Sequence, residues 1–560
     1  MKKISIKQTL LAFVGACCLA SCNADKGNYD YDEINKVTAF GNISESYSVE
    51  VGEELTIQPT LETAFGNEDD LEYTWYYKNS AGWNVLQKGK DFDFTIADPI
   101  GMPNTTYTCA FEAKNIKTEA AYRYTFTIRV TGTFNRGYVV LYEKENSFDM
   151  GMMVRNAANQ YIAKYDILAT TAPELEREGV KPYEVNIFAD KTAPNIYNKD
   201  GSNRSLFLLT DHYTTHLKIS DFTWDESYDI SNAVENGSTL YDNYISAGKP
   251  IVAEKMKVGS VWINGTPYPH IYIYLTDENG KGNWFQQNNY PALYMFSYPM
   301  NAYRSDKGKT PFDAAPYLSN GQRGTIFFNR DNNTLAYQSI SINDYNTAGF
   351  FYTESFTDKT TDGSFNFSEE NDGLLYMGER YNSSSGSTGF AILKMTDGTF
   401  KFIEFNVPNA VSGMTTNSYK VRASLFDANS PIKDAKFIAA APQPNNAFVY
   451  FVTNDNKVYY ADVSGASAVV REITDKVCTD GYDEVTALRF TLPSSSDKYL
   501  AIATYNSSLG KDKGGKITFY SLPSASSGEL AVAEHKVSEE ETIQMEWKDY
   551  GKIVSVDYKP

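Results

Sequence analysis

The sequence predicts an all-β protein, and three observations support that fold class. Tyr, Phe and Trp make up 14% of the 560 residues, and aromatic residues are enriched in strands. Short alternating apolar segments are separated by turn-forming residues, which is typical of strands and hairpins. The hairpin-like segment 448–462 (FVYFVTNDNKVYYAD) has variants throughout the last three quarters of the chain. The length exceeds one ordinary core, so we expect at least two domains.

The first 22 residues have the pattern of a secretory signal. Three lysines within the first seven residues precede an apolar stretch that ends in Leu-Ala-Ser-Cys at positions 19–22, and this stretch is too short to span a membrane. Small residues before a Cys resemble the lipobox of bacterial lipoproteins. We therefore expect a signal peptide over residues 1–21 and a lipid anchor on Cys22. The alternative is ordinary signal cleavage, with Cys22 as a free thiol.

Charge and cysteine usage exclude several classes of site. The formal net charge is -19 and no run of Lys and Arg interrupts it, whereas phosphate binding needs a basic surface. We therefore expect no nucleic-acid partner. After Cys22 the chain holds only Cys109 and Cys478, which form neither a disulfide framework nor a metal cluster. Both are expected to be small buried apolar residues.

Residues 22–36 are polar and acidic, and they are expected to form a flexible tether. The segment DKGNYDYDEIN at 25–35, directly after Cys22, resembles the start of the PKD-like lipoprotein family of Bacteroidota-type bacteria. That resemblance implies a lipoprotein often encoded beside TonB-dependent uptake systems. It therefore implies nutrient capture at the outer membrane, on the cell surface or the periplasmic face, and it brings no catalytic residues.

Residues 37–132 predict an immunoglobulin-like or PKD-like β-sandwich, because short alternating segments recur between turns over about a hundred residues. Trp75 lies mid-segment in YTWYY, where such sandwiches often bury a Trp. Tyr107 precedes Cys109 by two residues, the position of a tyrosine corner. Both aromatic residues are expected in the core rather than at a ligand.

Residues 133–560 predict a seven-bladed β-propeller. The starts of seven hairpin candidates are separated by roughly 50 to 75 residues. This spacing is the period of propeller blades with long loops. The candidates are 138–153, 206–219, 271–285, 325–337, 374–394, 448–462 and 499–520.

The two ends of this region predict how the ring is completed. Segments 436–441 and 485–491 precede the last two hairpins as innermost strands, whereas the first hairpin has no such segment before it. The final strand, KIVSVDYK at 552–559, has no hairpin after it. We expect it to complete the first blade and close the ring, which would leave no unpaired edge there. The alternative is that it merely ends the seventh blade.

No metal, cofactor or catalytic motif stands out. His212 and His216 form an HxxxH, but that spacing suits one face of a helix and the segment predicts a hairpin, so a polar loop is expected instead. Residues 277–282 resemble a calcium loop without its required oxygen ligands. There is no G-x-S-x-G, HExxH or phosphate loop, so neither a metal nor a cofactor is predicted and an enzyme is unsupported.

Aromatic residues give the remaining lead to a ligand. Segment 282–290 (GNWFQQNNY) is predicted to be a loop, in which Trp284 and Phe285 stack on a ligand while Gln287 and Asn289 hydrogen-bond it. The alternative is that these aromatic residues pack in the core. The leading hypothesis is a non-catalytic binding or accessory protein for glycan or peptide uptake. Its competitors are a propeller enzyme acting on glycan or peptide, and a cell-surface adhesin.

Overall fold

The computed structural model is all-β and comprises two compact units, residues 1–130 and 131–560. The described residues are 34–102, 105–156, 159–188, 205–263, 266–288, 295–302, 310–320, 324–339, 353–355, 371–380, 388–407, 420–442, 447–491, 499–521, 527–538 and 540–560. Cys22 and the proposed signal peptide lie outside them. No helix within these ranges is long and apolar enough to cross a membrane.

The N-terminal unit is built from antiparallel strands. They are β1 (Val37–Gly41), β2 (Ser46–Glu50), β3 (Glu54–Ile57), β4 (Thr60–Thr63), β5 (Leu71–Asn79), β6 (Gly82–Lys88), β7 (Phe92–Thr95), β8 (Thr105–Asn115) and β9 (Ala121–Thr131). A five-stranded sheet has the order β2-β9-β8-β5-β6, and β1 pairs with β4 and β3 with β7. β3 and most of β9 alternate between buried and more exposed residues, as expected for sheets with one buried face, whereas residues 109–113 of β8 are all buried.

The core of this unit is centred on Trp75. Its side chain is 1% exposed, and its ring centroid lies 4.8 Å from that of Phe92 and 4.4 Å from that of Phe111. The Tyr107 hydroxyl accepts a hydrogen bond from the Met102 backbone N–H at 3.2 Å, which is the contact of a tyrosine corner. Trp75 therefore has its predicted core position, and Tyr107 makes the backbone contact that the prediction requires.

The C-terminal unit contains thirty strands among the described residues. They are β10 (Gly137–Glu143), β11 (Phe148–Arg155), β12 (Tyr161–Lys164), β13 (Pro182–Phe188), β14 (Ser205–Thr210), β15 (Thr214–Lys218), β16 (Lys255–Ile263), β17 (Thr266–Thr276), β18 (Gly282–Asn288), β19 (Met295–Pro299), β20 (Ala314–Asn320), β21 (Gly324–Asn329), β22 (Thr334–Ser339), β23 (Thr353–Ser355), β24 (Asn371–Arg380), β25 (Thr388–Met395), β26 (Phe400–Asn406), β27 (Lys420–Phe426), β28 (Ala435–Ala440), β29 (Phe448–Thr453), β30 (Val458–Asp462), β31 (Val469–Glu472), β32 (Glu484–Thr491), β33 (Tyr499–Tyr505), β34 (Gly515–Ser521), β35 (Ala531–Val532), β36 (Glu534–Lys536), β37 (Thr542–Gln544), β38 (Glu546–Tyr550) and β39 (Lys552–Lys559).

Short helical segments connect some of these strands. They are the α-helices Ile167–Thr171 and Thr474–Val477, the 3₁₀-helices Glu226–Tyr228, Ile230–Ala233, Pro431–Asp434 and Ser507–Leu509, and the π-helical turn Tyr241–Ile245.

Within the described part of this unit, seven antiparallel sheets have three or more strands. In chain order they are β39-β10-β11-β12, β13-β14-β15, β16 to β19, β20 to β23, β24 to β27, β28 to β31, and β32 to β35 with β38 also paired to β34. We refer to them as sheets 1 to 7. Each of the seven predicted hairpins is an antiparallel pair in one of these sheets. The hairpin prediction is therefore confirmed.

The sheets pack face to face in a cyclic order. Hydrophobic cores lie between sheets 1 and 2, 2 and 3, 3 and 4, 4 and 5, 5 and 6, and 6 and 7. A further core joins sheet 7 to sheet 1, where Phe519 packs against Tyr138. No described sheet closes on itself. Because each sheet is covered on both faces, middle strands such as β14 (SLFLLT) and β29 (FVYFVT) are apolar throughout rather than alternating.

The C-terminal strand belongs to sheet 1. β39 pairs antiparallel with β10, from Gly137 opposite Lys559 to Glu143 opposite Lys552. Ile553 and Val556 are buried in the core between sheets 7 and 1. The predicted pairing with the first hairpin is therefore present, and the alternative that this strand merely ends the last sheet is wrong.

Candidate functional site

One edge strand from each of the seven sheets lies around a single cavity of about 470 Å³. We call these the first strands; in sheet 1 the first strand is β39, and in the other sheets it is the first strand in chain order. The lining of the cavity comes mainly from β13, β16, β20, β24, β28, β32 and β39. Small-molecule sites usually occupy about 300–1,000 Å³, so the cavity has the size of a ligand site. It is the candidate site in the C-terminal unit.

The charged residues that line the cavity are of both signs. They are Glu184, Lys255, Lys257, Glu379, Lys436 and Arg489. Several of these charges are already matched within the protein. Lys257 Nζ lies 3.1 Å from Glu379 Oε1, which also accepts a hydrogen bond from the backbone N–H of Asn320 at 3.1 Å.

Arg489 connects three neighbouring sheets. Its guanidinium lies 3.3 Å from Asp557 Oδ2 and donates to the backbone carbonyls of Val185 and Val556 at 3.3 and 3.2 Å. Asp557 in turn accepts a hydrogen bond from the Ile187 N–H at 2.8 Å. These bonds satisfy backbone groups of β13 and β39 on the cavity wall. They hold the wall in position, and the positive charge of Arg489 is paired with Asp557 rather than free for a ligand.

Lys436 is also committed to protein partners. Its ammonium donates to Asn456 Oδ1 at 2.6 Å and to the Val485 carbonyl at 2.9 Å. Burial lowers the pKa of this lysine, with partial compensation from the charge of Glu484. Lys436 therefore joins β28 to β32 rather than presenting a free cation to the cavity.

Two polar atoms on β13 lack such partners. Glu184 Oε2 and Asn186 Nδ2 are both buried, and neither has a hydrogen-bond partner among the described residues. Asn186 is only 2% exposed, and both residues line the cavity. Buried polar groups are normally hydrogen-bonded, and leaving one without a partner costs about 1–3 kcal/mol. An unsatisfied acceptor and an unsatisfied donor therefore lie two residues apart on this wall, where a polar ligand could hydrogen-bond both.

Aromatic side chains complete the wall. Tyr183 is 45% exposed, and Tyr317, Tyr376, Phe437 and Phe490 also line the cavity. The Tyr317 and Tyr376 rings have centroids 4.8 Å apart. Burial raises the pKa of the Tyr376 phenol, and the nearby Tyr317, Glu184 and Glu379 raise it further. Its hydroxyl is therefore protonated at neutral pH and can donate a hydrogen bond.

The aromatic segment chosen from the sequence is not a loop. Residues Gly282–Asn288 form β18, so the loop prediction is wrong. Trp284 is 2% exposed in the core between sheets 3 and 4, and its Nε1 donates to the Ala315 carbonyl at 2.9 Å. Phe285 is 3% exposed in the core between sheets 2 and 3, and Gln287 is also buried.

These residues have packing partners because β18 lies between β17 and β19 in sheet 3, with a hydrophobic core on each face of the sheet. Neither Trp284 nor Phe285 offers an exposed stacking face. Trp284 also borders the cavity, so contact with a ligand stays a prediction for this residue. Asn289 lies outside the described residues.

The two hairpin histidines have separate surroundings. His212 is exposed in the turn before β15, with its Nδ1 2.8 Å from Asp211 Oδ1. His216 lies on β15 and stacks on Tyr228 with centroids 4.5 Å apart. Within the described residues, no group of three or more His, Cys, Asp or Glu could hold a metal ion.

Sequence reasoning missed the β13 residues of the site. The signal was the segment PYEVNIF at 182–188, in which polar Glu184 and Asn186 alternate with apolar residues before the hairpin at 206. Such alternation predicts a strand. Recognising this segment as the first strand of its sheet would have directed both polar side chains to one face.

Comparison with known families gives a partial assignment. Residues 22–175 match the PKD-like family. The PKD-like match thus covers residues 22–130 of the N-terminal unit and continues through β10, β11 and β12. No curated protein matches the chain.

Three solved structures share low similarity with the chain. A quinoprotein alcohol dehydrogenase-like protein from Bacteroides thetaiotaomicron has 12% identity and a TM-score of 0.35, over 93% of this chain and 99% of that one. AofleA from Arthrobotrys oligospora has 12% identity and a TM-score of 0.27, over 65% and 82%. PorZ, a surface component of the type-IX secretion system of Porphyromonas gingivalis, has 11% identity and a TM-score of 0.16, over 89% and 59%.

Proposed function

We propose that this protein is a non-catalytic binding protein, which captures a glycan or peptide in the cavity of its C-terminal unit for nutrient uptake. The observation that carries this proposal is the unmet donor of Asn186 beside the unmet acceptor of Glu184 in the cavity wall. Buried polar groups without partners are uncommon in folded proteins, and a ligand that completes their hydrogen bonds accounts for this pair. Titration calorimetry of the purified protein with sugars and short peptides tests this function, and failure of every ligand to bind would contradict it.

The C-terminal unit is proposed to be a seven-bladed β-propeller. Three observations support this architecture: the cyclic order of the cores, the pairing of β39 with β10, and the cavity where the first strands meet. Propellers arrange four-stranded sheets around such a central channel. A crystal structure of the protein tests the proposal, and sheets stacked in a line would refute it.

The chain is further proposed to be an outer-membrane lipoprotein of Bacteroidota-type bacteria, which works with a TonB-dependent transporter. The support is the lipobox-like sequence ending in Cys22 and the PKD-like match that begins at that residue. Replacement of Cys22 by Ala should move the protein from the membrane fraction to the soluble fraction. Protease treatment of intact cells then distinguishes the cell surface, where the protein is degraded, from the periplasmic face, where it is protected.

An enzyme is the second candidate, and one observation favours it. Glu184 and Glu379 both line the cavity, and many glycoside hydrolases use two carboxylates. Against this role, Glu379 is held by the ammonium of Lys257 and the N–H of Asn320. Hydrolysis assays with the bound ligand separate the candidates, because turnover that is lost in both Glu184→Gln and Glu379→Gln would establish catalysis.

A further inference from the structure

We infer that the ligand of the cavity is a neutral sugar, whose hydroxyl groups hydrogen-bond Glu184 and Asn186. This inference rests on the proposed binding function and narrows its ligand class. Three features of the cavity wall favour a sugar over a peptide: the unsatisfied polar atoms on β13, the engagement of most wall cations within the protein, and the aromatic side chains.

The polar atoms match the chemistry of a sugar hydroxyl. Asn186 Nδ2 can only donate and an ionised Glu184 Oε2 can only accept, whereas a hydroxyl both donates and accepts through a single oxygen. Glu184 and Asn186 are opposite Leu209 and Phe207 in an unbroken stretch of register. They therefore share one face of β13, about 6.6 Å apart along the strand. Neighbouring hydroxyls of one ring can satisfy both residues from this side.

Three of the four cations that line the wall are already engaged within the protein. Lys257 and Arg489 are paired with Glu379 and Asp557, and Lys436 donates to oxygen atoms of the protein. Lys255 is exposed to solvent. The carboxylate terminus of a short peptide would have to compete with these internal pairs for Lys257 or Arg489. The hydroxyls of a sugar need only the two groups on β13, and a bond to the Glu184 carboxylate has the added strength of a charged acceptor.

The aromatic side chains provide the apolar part of the site. The exposed ring of Tyr183 adjoins Glu184 in sequence, and Tyr317 and Tyr376 line the same cavity. Tyrosine combines an apolar ring with a polar tip. It can therefore pack on the C–H face of a sugar while its hydroxyl bonds the polar rim.

The test is titration calorimetry of the purified protein. The probes are glucose, galactose, mannose, N-acetylglucosamine, maltose and cellobiose, with tri-alanine as the peptide probe. We expect at least one sugar to bind. Asn186→Leu and Glu184→Gln should each weaken that binding at least about tenfold, which corresponds to about 1.4 kcal/mol. Asn279→Leu and Glu278→Gln, in the exposed turn between β17 and β18, are matched controls that should bind as the unmodified protein does.

Each other outcome overturns a specific statement. Binding of tri-alanine without any sugar would refute the sugar class and leave the binding function standing. Sugar binding that neither cavity variant weakens, with both variants folded by circular dichroism, would refute the site. No binding by any probe would refute both the sugar class and the proposed function.

Discussion

Replacement of Glu404 by Gln should destabilise the C-terminal unit strongly, because Glu404 is the buried carboxylate partner of Arg380 and of the partly buried Arg422. Glu404 is 0% exposed and Arg380 is 1% exposed, with Arg380 Nη1 2.7 Å from Glu404 Oε2. Arg422 Nε lies 2.8 Å from the same oxygen. Burial lowers the pKa of Arg380, and the charge of Glu404 opposes that shift. Arg380 also donates to the Ala441 carbonyl at 2.7 Å, so the cluster joins sheet 5 to sheet 6.

The magnitude follows from the burial of these charges. Removal of one partner from a buried ion pair costs about 3–5 kcal/mol, because the other charge stays in the interior without compensation. Glu145 offers a matched control, since it is 65% exposed and lies 3.3 Å from Lys511, which is 59% exposed. Exposed pairs contribute about 0–1 kcal/mol.

The assay is urea unfolding of Glu404→Gln and Glu145→Gln, followed by tryptophan fluorescence. The free energy of unfolding should fall several-fold more for Glu404→Gln than for the control. The loss should also be insensitive to salt, because buried charges are weakly screened. Equal and small losses for the two variants would refute the reasoning that this cluster supports the interface between sheets 5 and 6.

Three further predictions concern the cavity, the terminal strand and the buried thiol. Asn186→Leu should raise the free energy of unfolding of the ligand-free protein by about 1 kcal/mol, since it removes an unmet donor. Asn301→Leu should lower the free energy of unfolding, since Asn301 donates to the carbonyls of Gly282 and Phe312 and accepts from the backbone N–H of Trp284. A change of the same sign for both variants in urea unfolding would contradict this difference. Deletion of residues 552–560 should expose the core between sheets 7 and 1 and make β10 sensitive to limited proteolysis. Protection of β10 equal to that in the intact protein would show that β39 does not cover this core. Burial raises the pKa of the Cys109 thiol to about 12. An alkylating reagent at pH 8 should therefore modify Cys109 only after urea unfolding, as measured by mass spectrometry. Rapid labelling of the native protein would show that this thiol is accessible as thiolate.

The sequence predicted the middle strands of the sheets better than their first strands. Strands such as β29 are covered on both faces, so their apolar runs between turn residues are clear. The first strands border the cavity and carry polar residues or irregular register instead. In β20, Pro316 lies within a register shift between Ala314 and Leu318, and Pro obscures a strand pattern.

The same physical cause explains why the candidate site was placed on the wrong segment. Glutamine and asparagine next to Trp284 suggested an exposed loop, but Gln286 and Gln287 are buried in a covered strand. Glu184 and Asn186 are separated by most of the unit's length from Arg489 and Asp557 on the same wall. Composition along the chain does not show such convergence, because it depends on the order in which the sheets pack.

The pairing of β39 with β10 has a consequence for how the protein matures. A chain that is synthesised from its N-terminus presents β10 long before β39 has emerged, so one strand neighbour of β10 arrives last. Contacts between such distant segments form slowly, because a long loop must be closed first. During this interval the edge of β10 is open to wrong partners. We therefore expect folding of this protein to depend on chaperones, and a product that ends before β39 to be degraded rather than partly active.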